Sequence, residues 1–478
     1  MILSPLAWLF LGGGSAHART LDVEEAVSLA LARSHSVEAA QAGEAKSRAE
    51  LRQAFLQFFP KLSATASYTY IDPVPYVSFD MSALSGGGGT DTCAEIDPAT
   101  LPEGWTAEMA QDFCYLLMSW MAPDTSGTEA AAIPMGLADN YSVQLQAEQL
   151  LFAGGAVHSA YQAQRRLHEA SEEQVRLARQ QAAYDVEQGF YQLVLARRAE
   201  EVTRGTLETV EAYVADLSAM VEVGMGSRAD LLAAQARASE SRLQAMRTAH
   251  GAQLAERIFK VYLGMSQDEP LELDYEEEVA PLPLPREALH PAALADRPDL
   301  AAMDLNLSAL HHYERAAWGS WMPALALVAN LQGKNPNYSN EAEWYRSGNI
   351  TLAASWSLWD RGAALTQAAT TRASARQLAA QRDLFSEMLE VEVLSALSSY
   401  DEAVAELGVA RDGAVAAEEA HRLERERFEQ GMANNTQLLQ AQAAFSGAQL
   451  SVLQAETQLH LAHAALRKAV GIDPKGTP

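Results

Sequence analysis

Cations are scarce in this 478-residue sequence: 35 Lys and Arg stand against 62 Asp and Glu, for a formal net charge of −27. That balance excludes a nucleic-acid-binding surface, because holding phosphates takes clustered cations. It suits a surface or lumen that repels anions and attracts cations, and equally a plain solvated acidic helix surface. Cysteine is scarcer still. Cys93 and Cys114 are the whole complement, too few for a structural zinc site, and no histidine spacing joins them. Past the N-terminus there is no run of about 20 apolar residues, so a transmembrane helix is not expected and any membrane span must be made of strands. No G-x-S-x-G, phosphate loop or dinucleotide fingerprint occurs, so an enzyme is not expected. The methionines are dispersed, as packing filler is. His460 and His463 stand three apart with no acid or cysteine cluster to complete a metal site, and they read as ordinary helix-surface residues.

The chain begins with an apolar stretch, Met1 to Leu11, then Gly12-Gly13-Gly14-Ser15 and Ala16-His17-Ala18. Such a run before an A-x-A site reads as a signal peptide over residues 1–18, cut before Arg19, although a positive n-region is missing. No cysteine follows the cut, so a lipid anchor is not expected. In the oxidising compartment that export implies, Cys93 and Cys114 are expected to pair as a disulfide inside one long loop.

What the sequence does contain, it contains twice. Val223-Gly224-Met225-Gly226-Ser227-Arg228-Ala229-Asp230-Leu231-Leu232-Ala233-Ala234-Gln235 is echoed by Gln430-Gly431-Met432-Ala433-Asn434-Asn435-Thr436-Gln437-Leu438-Leu439-Gln440-Ala441-Gln442, an offset of 207 (431 − 224). Phe152 and Trp359 share that offset, as do Gly264 and Gly471. A period this long is a duplicated domain rather than a solenoid. The first repeat spans 19–268. A helical pattern runs from Leu21 to Phe58, with Val23, Ala26, Val27, Ala30 and Leu31 on one face, and Pro60 ends it. Strands follow at about 62–71 and 141–152, where apolar residues alternate with Ser, Thr and Gln. Between them lies a long Gly- and Pro-rich loop, 72–140, in which Phe113 to Met118 suggests a short helix. A helical hairpin over 156–263 turns at Gly224, and roughly 65 residues at about 1.5 Å each make its first arm about 100 Å long. Residues 269–298 read as an acidic, Pro-bearing connector. The second repeat, 299–472, has strands at about 324–334 and 349–359 and a hairpin over 363–470; a tail, 473–478, follows.

Each half supplies two strands, and four cannot close a membrane barrel, for which about eight is the lower limit. Several chains must therefore contribute. Three would give twelve strands, and the same symmetry would gather the hairpins into a tube. Tyr68, Tyr70, Tyr141, Trp356 and Trp359 suit the aromatic girdles of such a barrel, where it meets outer-membrane lipid.

Gln149-Leu150-Leu151-Phe152-Ala153-Gly154-Gly155 and Trp356-Ser357-Leu358-Trp359-Asp360-Arg361-Gly362 resemble the strand-to-helix signature of the outer membrane efflux protein (TolC) family. The two Gly-x-x-(Ser/Asn)-x-x-(Asp/Gln)-Leu-Leu-x-Ala-Gln turns, the Arg297-Pro298-Asp299-Leu300 opening and the Pro60 and Pro323 junctions are similar too. The resemblance covers nearly all of the mature chain except the long first loop. It implies a mainly α fold with membrane β: duplicated half-units of two strands plus long antiparallel helical hairpins, forming a trimeric 12-stranded β-barrel on an α-helical periplasmic tunnel. It further implies a homotrimer that docks, through a periplasmic adaptor (membrane fusion) protein, on an inner-membrane RND, ABC or MFS transporter. The function implied is a passive exit duct in the outer membrane for drugs, small toxic molecules or proteins.

In that resemblance the two turns form the periplasmic entrance. Gly224 and Gly431 supply the turn backbone. Members commonly carry aspartates just after the second turn, where this sequence has Gln437 and Gln440, so an aspartate ring is not expected there. Asp230 fills the matching place in the first copy, and Arg228 and Asp230 are expected to close against Gln437 and Gln440 of neighbouring hairpins. An acid in a helix's first turn is also favoured by the macrodipole alone. The rival of another class is a non-channel coiled-coil scaffold or adhesin, against which the four matched strands argue.

Overall fold

The computed structural model describes residues 19–78, 93, 105–121, 132–134, 137–275, 279, 281–282, 284–337, 341–430 and 432–472. The expected signal peptide, Gly431, much of the long loop, part of the acidic connector and the tail lie outside the described residues. In chain order the elements are β1 (Arg19–Leu21), α1 (Val23–Arg33), α2 (His35–Leu56), β2 (Lys61–Tyr70), β3 (Tyr76–Ser78), α3 (Ala107–Met121), β4 (Ala132–Pro134) and β5 (Asp139–Ala153). There follow α4 (Ala156–Glu222), α5 (Arg228–Tyr262), β6 (Leu271–Leu273), α6 (Arg286–Asp296), α7 (Pro298–Gly319), β7 (Ala324–Asn335), β8 (Tyr345–Ser355), α8 (Ala363–Glu429) and α9 (Asn435–Val470).

Two compact units divide the chain. The strand unit takes Gln57–Ala153 and Pro323–Trp356, and the helical unit takes the rest. In the strand unit β2, β5, β7 and β8 form one antiparallel sheet in that order. Pro60 and Pro323 stand directly before β2 and β7, where a residue without an N–H can open a strand but not extend it. β3 pairs with β4 inside the long loop, and α3 covers the stretch Phe113 to Met118. Cys93 and Cys114 are joined by a disulfide, with their Cα atoms 5.8 Å apart.

One expected strand is shifted. β8 covers 345–355 instead of 349–359, because Ser355 pairs with Ala324, the first residue of β7, and Pro323 before it cannot donate to the next rung. Trp356 and Trp359 consequently lie beyond the strand, and both are exposed.

The helical unit repeats its layout at fixed offsets. α4 and α8 are both 67 residues long and begin 207 positions apart. α2 and α7 are both 22 residues long and begin 263 apart (298 − 35). The expected single helix from Leu21 to Phe58 is instead two, α1 and α2, broken at Ser34, which is extended at ψ 122. The apolar stripe that α1 buries stops near Leu31, so nothing in the packing requires one straight helix. The expected connector is also structured: β6 pairs in parallel with β1, and α6 repeats α1.

Two apolar cores result. In the first, Ala26 and Ala30 of α1 meet Val186 and Phe190 of α4, Phe259 of α5 and Leu263 just past it. In the second, Leu289 and Ala293 of α6 meet Val393 of α8 and Leu466 and Val470 of α9. Adding the two offsets to the first set gives the second: 26 becomes 289, 186 becomes 393, 259 becomes 466 and 263 becomes 470. Elsewhere the rods approach through small residues such as Ala163, Ala170, Ala364 and Ala368, all buried, which lets helix axes come close.

Candidate functional site

The sheet register sorts side chains into two chemistries. Leu62, Ala64, Ala66 and Tyr68 of β2 stand opposite Ala147, Leu145, Val143 and Tyr141 of β5. Leu145 and Ala147 then face Leu331 and Ala329 of β7, and Ala329 and Leu327 face Ile350 and Leu352 of β8. One face is thus apolar across all four strands. The other carries Ser63, Thr65, Ser67, Ser142, Gln144, Asn330, Asn349 and Thr351. There Ser67 and Ser142 share a hydroxyl hydrogen bond of 2.8 Å, and Gln144 Nε2 donates to Asn330 Oδ1 at 3.3 Å. The apolar face is exposed, with Leu62 and Ile350 each 77% accessible. A sheet that leaves its apolar side uncovered and turns hydroxyls and amides to the other is built for hydrocarbon on one side and water on the other. Of the expected girdle residues, Tyr68 and Tyr141 lie with their ring centroids 5.0 Å apart and tilted by 36° near one end of this face, close to Tyr70. Tyr68 also donates its hydroxyl proton to Asp139. Trp356 ends the strand unit at the other end of β8.

The duplicated turns lie at the hairpin tips. After α4, Gly224 takes φ +78, a left-handed value that suits glycine, and Gly226 N–H returns to Met220 O at 3.0 Å. Met225 N–H bonds the same oxygen at 2.8 Å, and in the second copy Met432 N–H bonds Arg427 O at 2.8 Å. The two tips differ in how the next helix begins. Asn434 accepts from Gln437 N–H at 2.9 Å while Gln437 Oε1 accepts from Asn434 N–H at 3.0 Å, a full capping box. Ser227 makes no such side-chain bond.

Among the described residues the expected tip network does not form within one chain. Arg228, Asp230 and Gln440 are exposed without a side-chain partner, and Gln437 is committed to its cap. What ties the tips together is Asn435, which is buried and donates from Nδ2 to Asp230 O at 3.1 Å. The sequence showed no sign of it, since its counterpart in the first repeat is Arg228. Behind the tips a cavity of about 250 Å³ opens between α4, α8 and α9, lined by Val210, Tyr213, His421, Phe428 and Leu438. Tyr213 stands edge-on to Phe428, and its hydroxyl is buried without a hydrogen bond. Burial, and then the charge of Asp230, push that phenol up to about 12.

Two buried polar clusters flank the second core. In the Arg297-Pro298-Asp299-Leu300 motif, Arg297 is 8% exposed. Its Nε and Nη2 donate to the two Asp299 oxygens at 3.0 and 2.6 Å, and Nη1 donates to Glu392 at 2.9 Å and to Ala469 O at 3.2 Å. Burial lowers its pKa, but the two carboxylates outweigh that and hold it above the ordinary arginine value. The motif therefore clamps α7 to α8 and the end of α9.

The second cluster corrects the expectation for His460 and His463. Both are buried rather than on a helix surface, because Tyr275 and Val279 pack against α9 there. His460 stacks on Tyr191 at 4.3 Å, and its Nε2 lies 3.3 Å from the Tyr275 hydroxyl. Burial, then neighbouring His463, lower its pKa from 6.5 to about 4.

No described helix is long and apolar enough to cross a membrane. The sequence profile of the outer membrane efflux protein family matches residues 121–264 and 289–472. The chain is 24% identical over 332 residues to the outer membrane efflux protein BepC of Brucella suis biovar 1 (strain 1330), spanning 69% of this chain and 72% of the relative. In fold it is similar to a membrane protein from Pseudomonas aeruginosa, with a TM-score of 0.73 at 20% identity over 95% of this chain and 91% of that one. It is similar also to the Campylobacter jejuni CmeC outer membrane channel, with a TM-score of 0.71 at 15% identity over 94% and 85%. The chain belongs to the outer membrane efflux protein family, a family of outer-membrane channels.

Proposed function

We propose that this channel is the passive exit duct of a tripartite efflux or type I secretion system. Three copies join their sheets into one twelve-stranded barrel and their hairpins into a periplasmic tunnel. The observation that carries this reading is an imbalance between the two long rods. α4 packs along α2 and α5 of its own repeat and along α7 and α9 of the other. α8 packs along α7 and α9, with α6 against it, and no comparable second pair among the described residues. By the duplication, the missing pair is α2 and α5 of a neighbouring copy.

The exposed surfaces match that assignment. Leu384, Met388 and Val391 form an accessible stripe on α8, and Leu254, Ile258 and Val261 form one on α5, both at i, i+4, i+7 spacing. Within the chain, the Lys468 ammonium of α9 sits 4.5 Å from the centre of the Tyr184 ring of α4. Moving each by 207 residues turns that pair into Val261 and Val391, a cross-copy apolar contact. The sheet points the same way: among the described residues β2 and β8 each pair on one side only, and an open edge in hydrocarbon leaves backbone groups unsatisfied.

The tips would form the entrance, where Arg228, Asp230 and Gln440 are free to meet neighbouring hairpins, and where a periplasmic adaptor carrying an RND, ABC or MFS transporter would dock. In a Val261→Cys, Val391→Cys protein, a short bismaleimide should link neighbouring copies into a ladder that ends at three. The trimer should form long-lived, cation-preferring pores in planar bilayers. Absence of cross-links, or a ladder ending elsewhere, would sink the assembly. A trimer without conductance would favour the scaffold. An Asp230→Ala pore whose closed state conducts no more than the unaltered one would remove Asp230 from the closure.

A further inference from the structure

α2 and α4 pack side by side in the first repeat, and three metal-ligating side chains meet in that seam. His168 and Glu172 stand one turn apart on α4, Glu44 reaches them from α2, and their ligating atoms all lie within 4.8 Å of one another. His168 Nε2 is 4.0 Å from Glu44 Oε1 and 3.7 Å from Glu172 Oε1. These separations are too long for hydrogen bonds. They are close to the edge of a coordination polyhedron, since two ligands each about 2.1 Å from a shared ion at tetrahedral angles stand about 3.4 Å apart. The imidazole is no better provided for on its other side, where Nδ1 is buried without a hydrogen bond. A mostly buried ring with neither nitrogen bonded is an unmet polar requirement.

The duplication supplies an internal control. The equivalent seam, α7 against α8, carries Leu307, Ala375 and Ala379 at the three matching positions (44 + 263, 168 + 207, 172 + 207). Helix packing in this seam therefore does not need the polar triad, and an apolar set serves its twin. Arg48 donates to Glu44 Oε1, the same oxygen that lies 4.0 Å from His168, and a carboxylate oxygen keeps a further lone pair for an ion. Glu172 is 57% accessible, which gives an ion a way in.

We propose that Glu44, His168 and Glu172 bind a divalent transition-metal ion of the Zn²⁺ type, with water completing its shell, and that the ion ties α2 to α4. One imidazole with two carboxylates suits such ions, whereas Ca²⁺ and Mg²⁺ favour oxygen ligands alone. The competing arrangement is a protonated His168 held between two acids with no ion.

Detergent-purified, full-length protein without a histidine tag, stripped with EDTA, would be titrated with Zn²⁺ by calorimetry and with Co²⁺ by visible absorption. One ion per chain is expected, together with a rise in the unfolding temperature on adding Zn²⁺. The Glu44→Leu, His168→Ala, Glu172→Ala protein, which carries the residues of the second seam, should bind at least about tenfold more weakly and lose the temperature rise. His168→Gln alone should lose the Co²⁺ band. Equal binding by the unaltered and triple-variant proteins, absence of a saturable site, or Ca²⁺ and Mg²⁺ binding as tightly as Zn²⁺ would each overturn the proposal.

Discussion

Gly154 shows how little room single residues have where strand meets rod. Its φ is +59, and a Cβ built there would lie 2.3 Å from Gly319 O, with the reverse substitution at Gly319 equally blocked by Gly154 O at 2.7 Å. Gly154→Ala should therefore lower stability by about 2–3 kcal/mol, the cost of strained backbone and a forced shift together, read as an earlier fluorescence unfolding midpoint. The counterpart Arg361 holds the same left-handed φ of 60 as a non-glycine. His460 is the residue to watch with pH. Its folded value of about 4 lies below its ordinary 6.5, so unfolding takes up a proton between those values. Its contribution is complete above pH 6.5 and is lost as pH falls toward 4, up to about 3 kcal/mol. Tyr191, Tyr275 and His463 face it, and His463 is likewise depressed by burial and by Arg467. His460→Phe should flatten the acid limb of the stability profile over that window, and an unchanged limb would place the sensitivity elsewhere.

At the scale of elements, the two tips start their return helices differently, and that difference is measurable. The capping box at Asn434 and Gln437 is worth about 1 kcal/mol, close to fivefold in an opening equilibrium. Amides at 228–231 should therefore exchange several-fold faster than those at 435–438, and Asn434→Ala should bring the two rates together. Most elements were legible beforehand because strict alternation and long Pro-free periodicity survive any context. The duplication also marked the hairpins twice. The misses share a cause. β1 and β6 are three residues each and exist only because they pair across some 250 residues of chain, which no local pattern records. His460 and His463 sat on a recognisable helix, but which segment would cover that face was not written in the helix. Asn435 and the Glu44, His168 and Glu172 triad are likewise products of helices far apart in sequence. Arg297 was noticed as the opening of a helix, yet its grip on Glu392 and Ala469 belongs to the packed fold.

At the scale of the whole molecule, the −27 charge acts collectively and through water. In the proposed pore exposed acids would set a preference for cations that ionic strength screens, with a Debye length of about 10 Å at 0.1 M and about 3 Å at 1 M. Cation-over-anion selectivity measured by reversal potentials should thus fall markedly from 0.1 M to 1 M salt. Selectivity indifferent to salt would mean that a narrow ring of charges sets it. The two apolar cores carry a temporal meaning as well. Every member of the first lies between Leu21 and Leu271, and every member of the second between Leu289 and Val470. A chain delivered N-terminus first has thus presented one whole core before the other begins, with β1 waiting for β6 to close the first stage. Folding can proceed as two successive nucleations of the same kind, the first without waiting for the second, and contacts between them such as His460 on Tyr191 and Lys468 over Tyr184 close last.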